Sequence, residues 1–155
     1  MMSRLAPSIL LLLLASCAPS LLPGTEIRDT RDTRAITEVL GQYRQAMEKR
    51  DSKAVLALVA PDYFDTAGTS GLEDDVDRAE LEKRLPADLE KVESVRLELT
   101  LRKLDVQGDR AEAEVFYEGW YRVKTPGGAV PRRDTDLQRM KLRKLNDAWK
   151  FVSGL

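Results

Sequence analysis

Between Ser94 and Val123 apolar and polar residues alternate, and the phase of that alternation changes once. Val95, Leu97, Leu99 and Leu101 carry the apolar side on odd numbers, whereas Leu104 and Val106 carry it on even ones. Successive side chains of a strand point to opposite faces, so a uniform strand cannot hold both sets against one core. Beyond Gly108-Asp109, residues Ala111, Ala113, Val115, Tyr117, Tyr121 and Val123 keep a single phase. A two-residue hairpin at Gly108-Asp109 sets Val106 opposite Ala111 and Leu104 opposite Ala113. Leu101 then shares a face with Val115 only if Arg102 and Lys103 together oppose Glu114. That is a β-bulge, and a bulge bends the sheet.

The preceding residues supply helices for such a sheet. Ile36, Val39, Leu40, Tyr43, Ala46 and Met47 recur at helical spacing. They predict an amphipathic helix from Thr33 to about Lys49, with Asp32 or Thr33 as its N-cap. Asp51 or Ser52 opens a shorter helix through Ala54, Val55, Leu58 and Val59, stopped by Pro61. Tyr63-Phe64 reads as a short strand, and Gly68, Gly71, Glu73, Asp74 and Asp75 as an acidic loop. Asp77 caps a third helix over 79–85, which Pro86 either breaks or extends by a turn. After a loop at Thr125-Pro126-Gly127-Gly128, a strand is expected from Arg132 to Leu145. Asn146-Asp147 turns it into a last strand, Trp149 to Ser153, with Leu142 opposite Phe151. Helices first and an antiparallel meander afterwards define an α+β class, with N-terminal helices packed on one face of a strongly bent antiparallel sheet.

Residues 1–16 stand apart from this domain. Arg4 gives a basic start, Ile9 to Leu14 is unbroken apolar, and Leu14-Ala15-Ser16-Cys17 follows. A bilayer needs roughly 20 apolar residues, so the run is too short to stay in one; its layout is that of a secretory signal. Cys17 is the only cysteine. The motif resembles a bacterial lipobox, which implies cleavage before Cys17 and acylation of its thiol. The plain alternative is an ordinary signal peptide with a chance cysteine. Two or three acyl chains, at about 0.8 kcal/mol per buried methylene, hold a protein firmly on a membrane. Residues 17–31, with Pro19, Pro23 and Gly24, read as the lipidated cysteine and a flexible tether, leaving 32–155 as the folded domain. The expected location is exported and membrane-anchored. In a Gram-negative cell, Ala18 rather than Asp after the cysteine resembles outer-membrane sorting, facing the periplasm. With 25 basic against 26 acidic residues, the charge balance gives no support for nucleic-acid binding.

The order of elements and three stretches of wording are similar to the nuclear transport factor 2-like superfamily. The stretches are Tyr43-Arg-Gln-Ala-Met-Glu-Lys-Arg-Asp51, Leu56-Ala-Leu-Val-Ala-Pro-Asp62-Tyr-Phe64 and Leu142-Arg-Lys-Leu-Asn-Asp-Ala-Trp149-Lys-Phe151. That group includes ketosteroid isomerases, polyketide cyclases and many envelope proteins of unknown role. The resemblance implies a cone, a curved sheet wrapped around a long helix with a pocket at the open end. It also places Tyr43, Tyr63 and Asp65 near positions where enzymes of the group hold pocket residues.

Within a cone the inward face carries Tyr117, Tyr121 and, on the next strand, Asp134, Asp136 and Gln138 in phase with Met140 and Leu142. Polar groups on an apolar face are what a ligand pocket requires. A desolvated Asp134 or Asp136 would serve as a base and the phenols as donors to an oxyanion. Equally, both aspartates suit an exposed strand end, and the tyrosines, Tyr43 among them, suit a core. The absence of histidine removes the commonest base and metal ligand, and Glu73, Asp74, Asp75 and Asp77 lack the spacing of a calcium loop. No cofactor or metal is expected. Phe116 and Trp120 face away from the core among charged residues, as a partner or homodimer surface would, or with Trp120 stacked on Arg96 across the strand pair. Two functions follow: a non-catalytic, membrane-anchored cone that binds a small apolar ligand or an envelope protein, or an enzyme of the isomerase, dehydratase or cyclase type. Tethering outside the cytoplasm and the lack of a tight catalytic motif favour the first.

Overall fold

The chain, seen in a computed structural model, is described over residues 20–66 and 75–155. Cys17, the signal segment and the loop residues Gly68, Gly71, Glu73 and Asp74 lie outside the described residues. Helix α1, Arg31–Glu48, buries Thr33, Ile36, Leu40, Tyr43 and Ala46, a single stripe at spacings of three and four. Its N-cap is Thr30 rather than Asp32 or Thr33. The amide of Thr33 donates to Thr30 Oγ1 at 3.1 Å and the amide of Thr30 donates to Thr33 Oγ1 at 2.8 Å, a reciprocal box. Asp32 is drawn elsewhere: its Oδ1 accepts from Lys144 Nζ at 2.7 Å and from the Trp149 indole at 3.1 Å. Those bonds hold the Asp32 carboxyl below its usual pKa.

Helix α2, Ser52–Ala57, is capped by Asp51, which accepts from the Ala54 amide at 3.0 Å. Strand β1, Phe64–Asp65, sits one residue later than expected and pairs with β2, Val76–Asp77. Helix α3, Arg78–Glu90, starts at the Asp77 cap and runs through Pro86. The carbonyl that Pro86 leaves without an amide partner belongs to Glu82, on an exposed turn where water can reach it. Leu81 and Leu89 are buried and Leu85 is half-buried at i, i+4, i+8, which keeps the helix going past the proline.

Four long antiparallel strands follow in the order β3, Val92–Gln107; β4, Arg110–Thr125; β5, Gly128–Leu145; and β6, Ala148–Ser153. The phase slip resolves as the alternation requires. Leu101 lies opposite Val115, Lys103 opposite Glu114, Leu104 opposite Ala113 and Val106 opposite Ala111, with the irregularity between Leu101 and Lys103. Gly108 supplies the turn with φ +62°. Asn146 and Asp147 both adopt positive φ, as a type I′ hairpin demands, and Leu142 faces Phe151. Strand β5 begins four residues before the expected Arg132, because Pro126-Gly127 alone makes the turn and Thr125 already pairs with Gly128. α2 ends earlier than its apolar pattern suggests: the Leu58 carbonyl accepts from the Phe151 amide at 2.9 Å, and the Ala60 amide donates to Phe151 O at 2.8 Å. Leu58 and Val59 thus serve the edge of β6.

Ile36, Leu97, Val115, Met140, Leu142 and Phe151 are almost wholly buried between α1 and the sheet, each worth about 1.5–3 kcal/mol of burial. Residues 20–29, expected as tether, also carry fixed structure. Leu22 and Ile27 are buried, the Leu22 amide donates to Ile27 O at 2.8 Å and the Asp29 amide to Ser20 O at 2.7 Å. Two apolar side chains that find cover are enough to order this turn. At the other end of α1, Glu48 Oε1 accepts from the Leu97 amide at 3.1 Å, and Arg50 donates to Val92 O at 2.8 Å.

Deleting Lys103 restores a regular ladder without moving any side chain to the other face, so strand pairing should survive while the bend is lost. The expected result is unchanged far-UV circular dichroism with about 1–3 kcal/mol less stability in denaturant melts; a neutral deletion would show that the bend does not depend on the bulge.

Candidate functional site in the cone interior

The chain has four tyrosines, Tyr43, Tyr63, Tyr117 and Tyr121, and all four turn toward the interior. Tyr43 stands on the buried stripe of α1, edge-on to Phe151 with ring centroids 5.6 Å apart and planes at 65°. Tyr63, only 2% exposed, follows α2. Tyr117 and Tyr121 lie on the inward face of β4 with Gly119 between them. A Cβ at Gly119 would stand 2.6 Å from the Tyr121 hydroxyl and 2.8 Å from the Tyr117 hydroxyl. Both phenol oxygens therefore occupy the space that a side chain at 119 would fill. The glycine is what lets them meet.

Burial pushes the Tyr43 phenol well above its usual pKa, and the nearby Tyr121 and Tyr63 phenols add to the shift. Burial likewise raises Tyr63, and raises Tyr121 to about 12 with a further push from the Asp134 carboxylate. These groups stay protonated at any physiological pH and act as hydrogen-bond donors. On the neighbouring strand, Gln138 lies opposite Val115, and its side-chain oxygen is buried with no hydrogen-bond partner among the described residues. Beyond Gln138 the inward face of β5 opens to solvent: Asp136, opposite Tyr117, and Asp134, opposite Gly119, are both exposed. They form a rim and do not enter the interior.

Asp65 lies at the other side of the site. Its Oδ2 accepts from the Tyr63 hydroxyl at 3.2 Å and from the Gly154 amide at 2.8 Å. The Leu155 amide donates to the Tyr63 hydroxyl at 3.1 Å. Residues 154–155 thus fold across Tyr63 and Asp65. Gly154 has φ +94°, and a Cβ there would lie 2.8 Å from Met140 Cα and closer still to the Arg139 carbonyl, so no larger residue fits. Gly119 and Gly154 escape a reading of the sequence because a glycine in a strand or after one signals only freedom; the phenols and backbone it admits come from elsewhere.

The outer face of the sheet carries Phe116 and Trp120, both half-buried. Arg96 lies 5.3 Å over the Trp120 ring, Arg133 lies 5.7 Å from it, and Arg102 stands 5.7 Å over Phe116. A shallow concavity of about 680 Å³ near the bulge is lined by Lys103, Arg110, Glu112, Glu114, Arg139 and Lys141, whose charges alternate across the strands. A second concavity, of about 440 Å³, surrounds Trp120.

No protein-family model matches the chain, and no curated protein sequence matches it. Solved structures do. A proposed dehydratase of the nuclear transport factor 2-like family from Streptomyces avermitilis superposes with a TM-score of 0.67 at 16% identity, over 79% of this chain and 93% of the other. A proposed scytalone dehydratase from Novosphingobium aromaticivorans gives 0.69 at 14% identity, over 79% and 80%. A proposed aromatic ring hydroxylase from the same organism gives 0.62 at 20% identity, over 79% and 85%. The chain has the nuclear transport factor 2-like fold, helices followed by a curved four-stranded antiparallel sheet, as the resemblance implied. That fold is shared by proteins proposed as dehydratases and hydroxylases.

Gly119→Ala should displace both phenols and cost about 1–3 kcal/mol as overpacking does, with part of the loss recovered by adding Tyr121→Phe in a double-mutant cycle. Because the folded-state pKa of Tyr121 is raised, its unfolded phenol loses its proton first. Stability should be full below pH 10 and fall as pH climbs toward 12, read from urea midpoints across that range.

Proposed function

We propose that this chain is a membrane-anchored envelope lipoprotein whose cone domain binds a small, largely apolar ligand without transforming it. The observation that carries the reading is the interior cluster of neutral phenols among apolar side chains, with Asp134 and Asp136 exposed at its rim. Such a lining suits a ligand with an apolar body and one or two oxygen acceptors, held by donors that do not ionise. Catalysis of the proton-transfer kind needs a base facing the ligand, and the two aspartates expected for that role sit on the rim. The neighbours proposed as dehydratases or hydroxylases share the fold at 14–20% identity.

The anchor belongs to the same proposal. Ser20 is already hydrogen-bonded into the domain, so acyl chains on Cys17 would lie only three residues from packed structure, a reach of about 10 Å. The domain would ride close to the bilayer. One observation favours a catalytic alternative, the 3.2 Å bond from the Tyr63 hydroxyl to Asp65, which puts a carboxylate beside a phenol. Its second partner, the Gly154 amide, places chain over that carboxylate.

Cys17→Ala should abolish acylation and release the exported protein from membranes on fractionation; a variant processed and retained like the parent would remove the anchor from the proposal. For the cone, Nile red, an apolar dye with a carbonyl acceptor, should bind saturably. Tyr121→Phe should weaken it several-fold, as loss of one buried hydrogen bond does. Recovery of a chemically altered natural ligand, dependent on Asp65, would instead establish the enzyme.

A further inference from the structure

We propose that the outer face of the sheet around Trp120 docks a segment of a partner protein rich in aspartate and glutamate. Cross-strand register puts Arg96, Trp120 and Arg133 in one row over β3, β4 and β5. Both guanidinium groups lie over the indole, at 5.3 and 5.7 Å. The concavity here, about 440 Å³, is lined by Arg96, Arg122, Arg132 and Arg133 with Trp120 and Pro131, and no carboxylate lines it. One step along the strands, Phe116 faces Leu137, which is 52% exposed, beneath the Arg102 guanidinium. Arginine and tryptophan around exposed aliphatic groups form the composition that dominates binding energy at protein interfaces.

Three carboxylates accompany these arginines, and Glu98 and Glu118, opposite one another, stand between the Trp120 row and the Phe116 row. Glu98 holds Arg96 at 2.7 Å, Glu93 holds Arg122 at 3.1 Å, and Glu118 holds Arg133. The pairs at Glu98 and Glu93 are more than half exposed on both sides and contribute about 0–1 kcal/mol, whereas Glu118 is only 18% exposed and holds Arg133 more firmly. A carboxylate brought in by a partner can exchange for Glu98 and Glu93 at little cost. Arg102, over Phe116, has no carboxylate within ion-pair distance among the described residues and meets an incoming acid directly; Arg132, opposite Tyr121, belongs to the inward face.

Charge argues against a second copy as the occupant, since two such faces would set arginine against arginine across a two-fold axis. Position argues against the bilayer. Asp32 and Lys144 tie the start of α1 to the end of β5, and the Lys144 amide donates to Asp109 at the β3–β4 turn. Trp120 lies some ten residues along β4 from that turn, about 30 Å of strand, so in a chain anchored through Cys17 it points away from the membrane. The proposal does not rest on ligand binding in the cone.

The chain has two tryptophans, and Trp149 is only 2% exposed, so acrylamide quenching of the whole protein reports Trp120. A synthetic peptide alternating Glu with Leu should protect Trp120 saturably, more weakly as salt rises. The same peptide with Lys in place of Glu should give no protection. Arg96→Glu with Arg133→Glu should weaken the acidic peptide at least about tenfold at an unchanged melting temperature, with Arg96→Lys plus Arg133→Lys retaining part of the affinity. Three results would overturn the idea: no saturable protection, equal binding by the charge-reversed variant, or a dimer in sedimentation that Trp120→Ala dissociates. Protection of Trp120 by phosphatidylglycerol vesicles in the soluble Cys17→Ala protein would also overturn it, by making the occupant lipid.

Discussion

Two residues of β3, Arg102 and Lys103, share one partner on β4, and the architecture follows from that unequal count. Were Arg102 and Lys103 each to take a partner in a regular ladder, either the odd-numbered leucines before them or the even-numbered residues after them would face water. With the bulge, Leu97 and Leu101 share a face with Leu104 and Val106, and the sheet bends at the place where it closes over α1. α1 can then present Ile36, Leu40, Tyr43 and Ala46 to a concave surface rather than a flat one. The bend creates the interior, and the interior decides which side chains can be ligands.

Inside, the balance between filling and opening is set by a missing side chain. Tyr117 and Tyr121 are separated by one residue of the same face, and a methyl group at 119 would stand in the path of both hydroxyls. With glycine there the two phenols converge, and Tyr43 comes toward them from the helical side, close enough to Tyr121 and Tyr63 that both raise its pKa. Four hydroxyls in an apolar interior carry a desolvation cost that bonds must offset. Tyr63 meets it with Asp65 and Leu155. The side-chain oxygen of Gln138, buried with no hydrogen-bond partner among the described residues, belongs to the same interior.

The bulge was legible in the sequence because both flanking stretches alternate cleanly, so one register satisfied both. The type I′ turn at Asn146-Asp147 and the Asp77 cap were legible for a similar reason: each depends on residues adjacent in the chain. The four tyrosines were recognisable as inward, but their meeting was not, since it needs the bend as well as the pattern. Where the reading missed, long-range partners had outbid local ones. Asp32 left the cap position for Lys144 and Trp149, more than a hundred residues away. Leu58, helical by pattern, gave its carbonyl to the Phe151 amide, and Ala60 its amide to the Phe151 carbonyl. The start of β5, Gly128-Ala-Val-Pro131, was missed because its glycine and proline read as a continuation of the loop.

Strand β3 lies at the margin of its sheet, and half of its amides and carbonyls have no neighbouring strand to bond. Glu48 takes the outward amide of Leu97 and Arg50 takes the outward carbonyl of Val92. Side chains at the end of a helix thereby stand where the backbone of a foreign chain would otherwise add. Open margins of this kind seed association between like molecules, and charged groups placed on them are a common remedy. Those two side chains guard against polymerisation through the sheet.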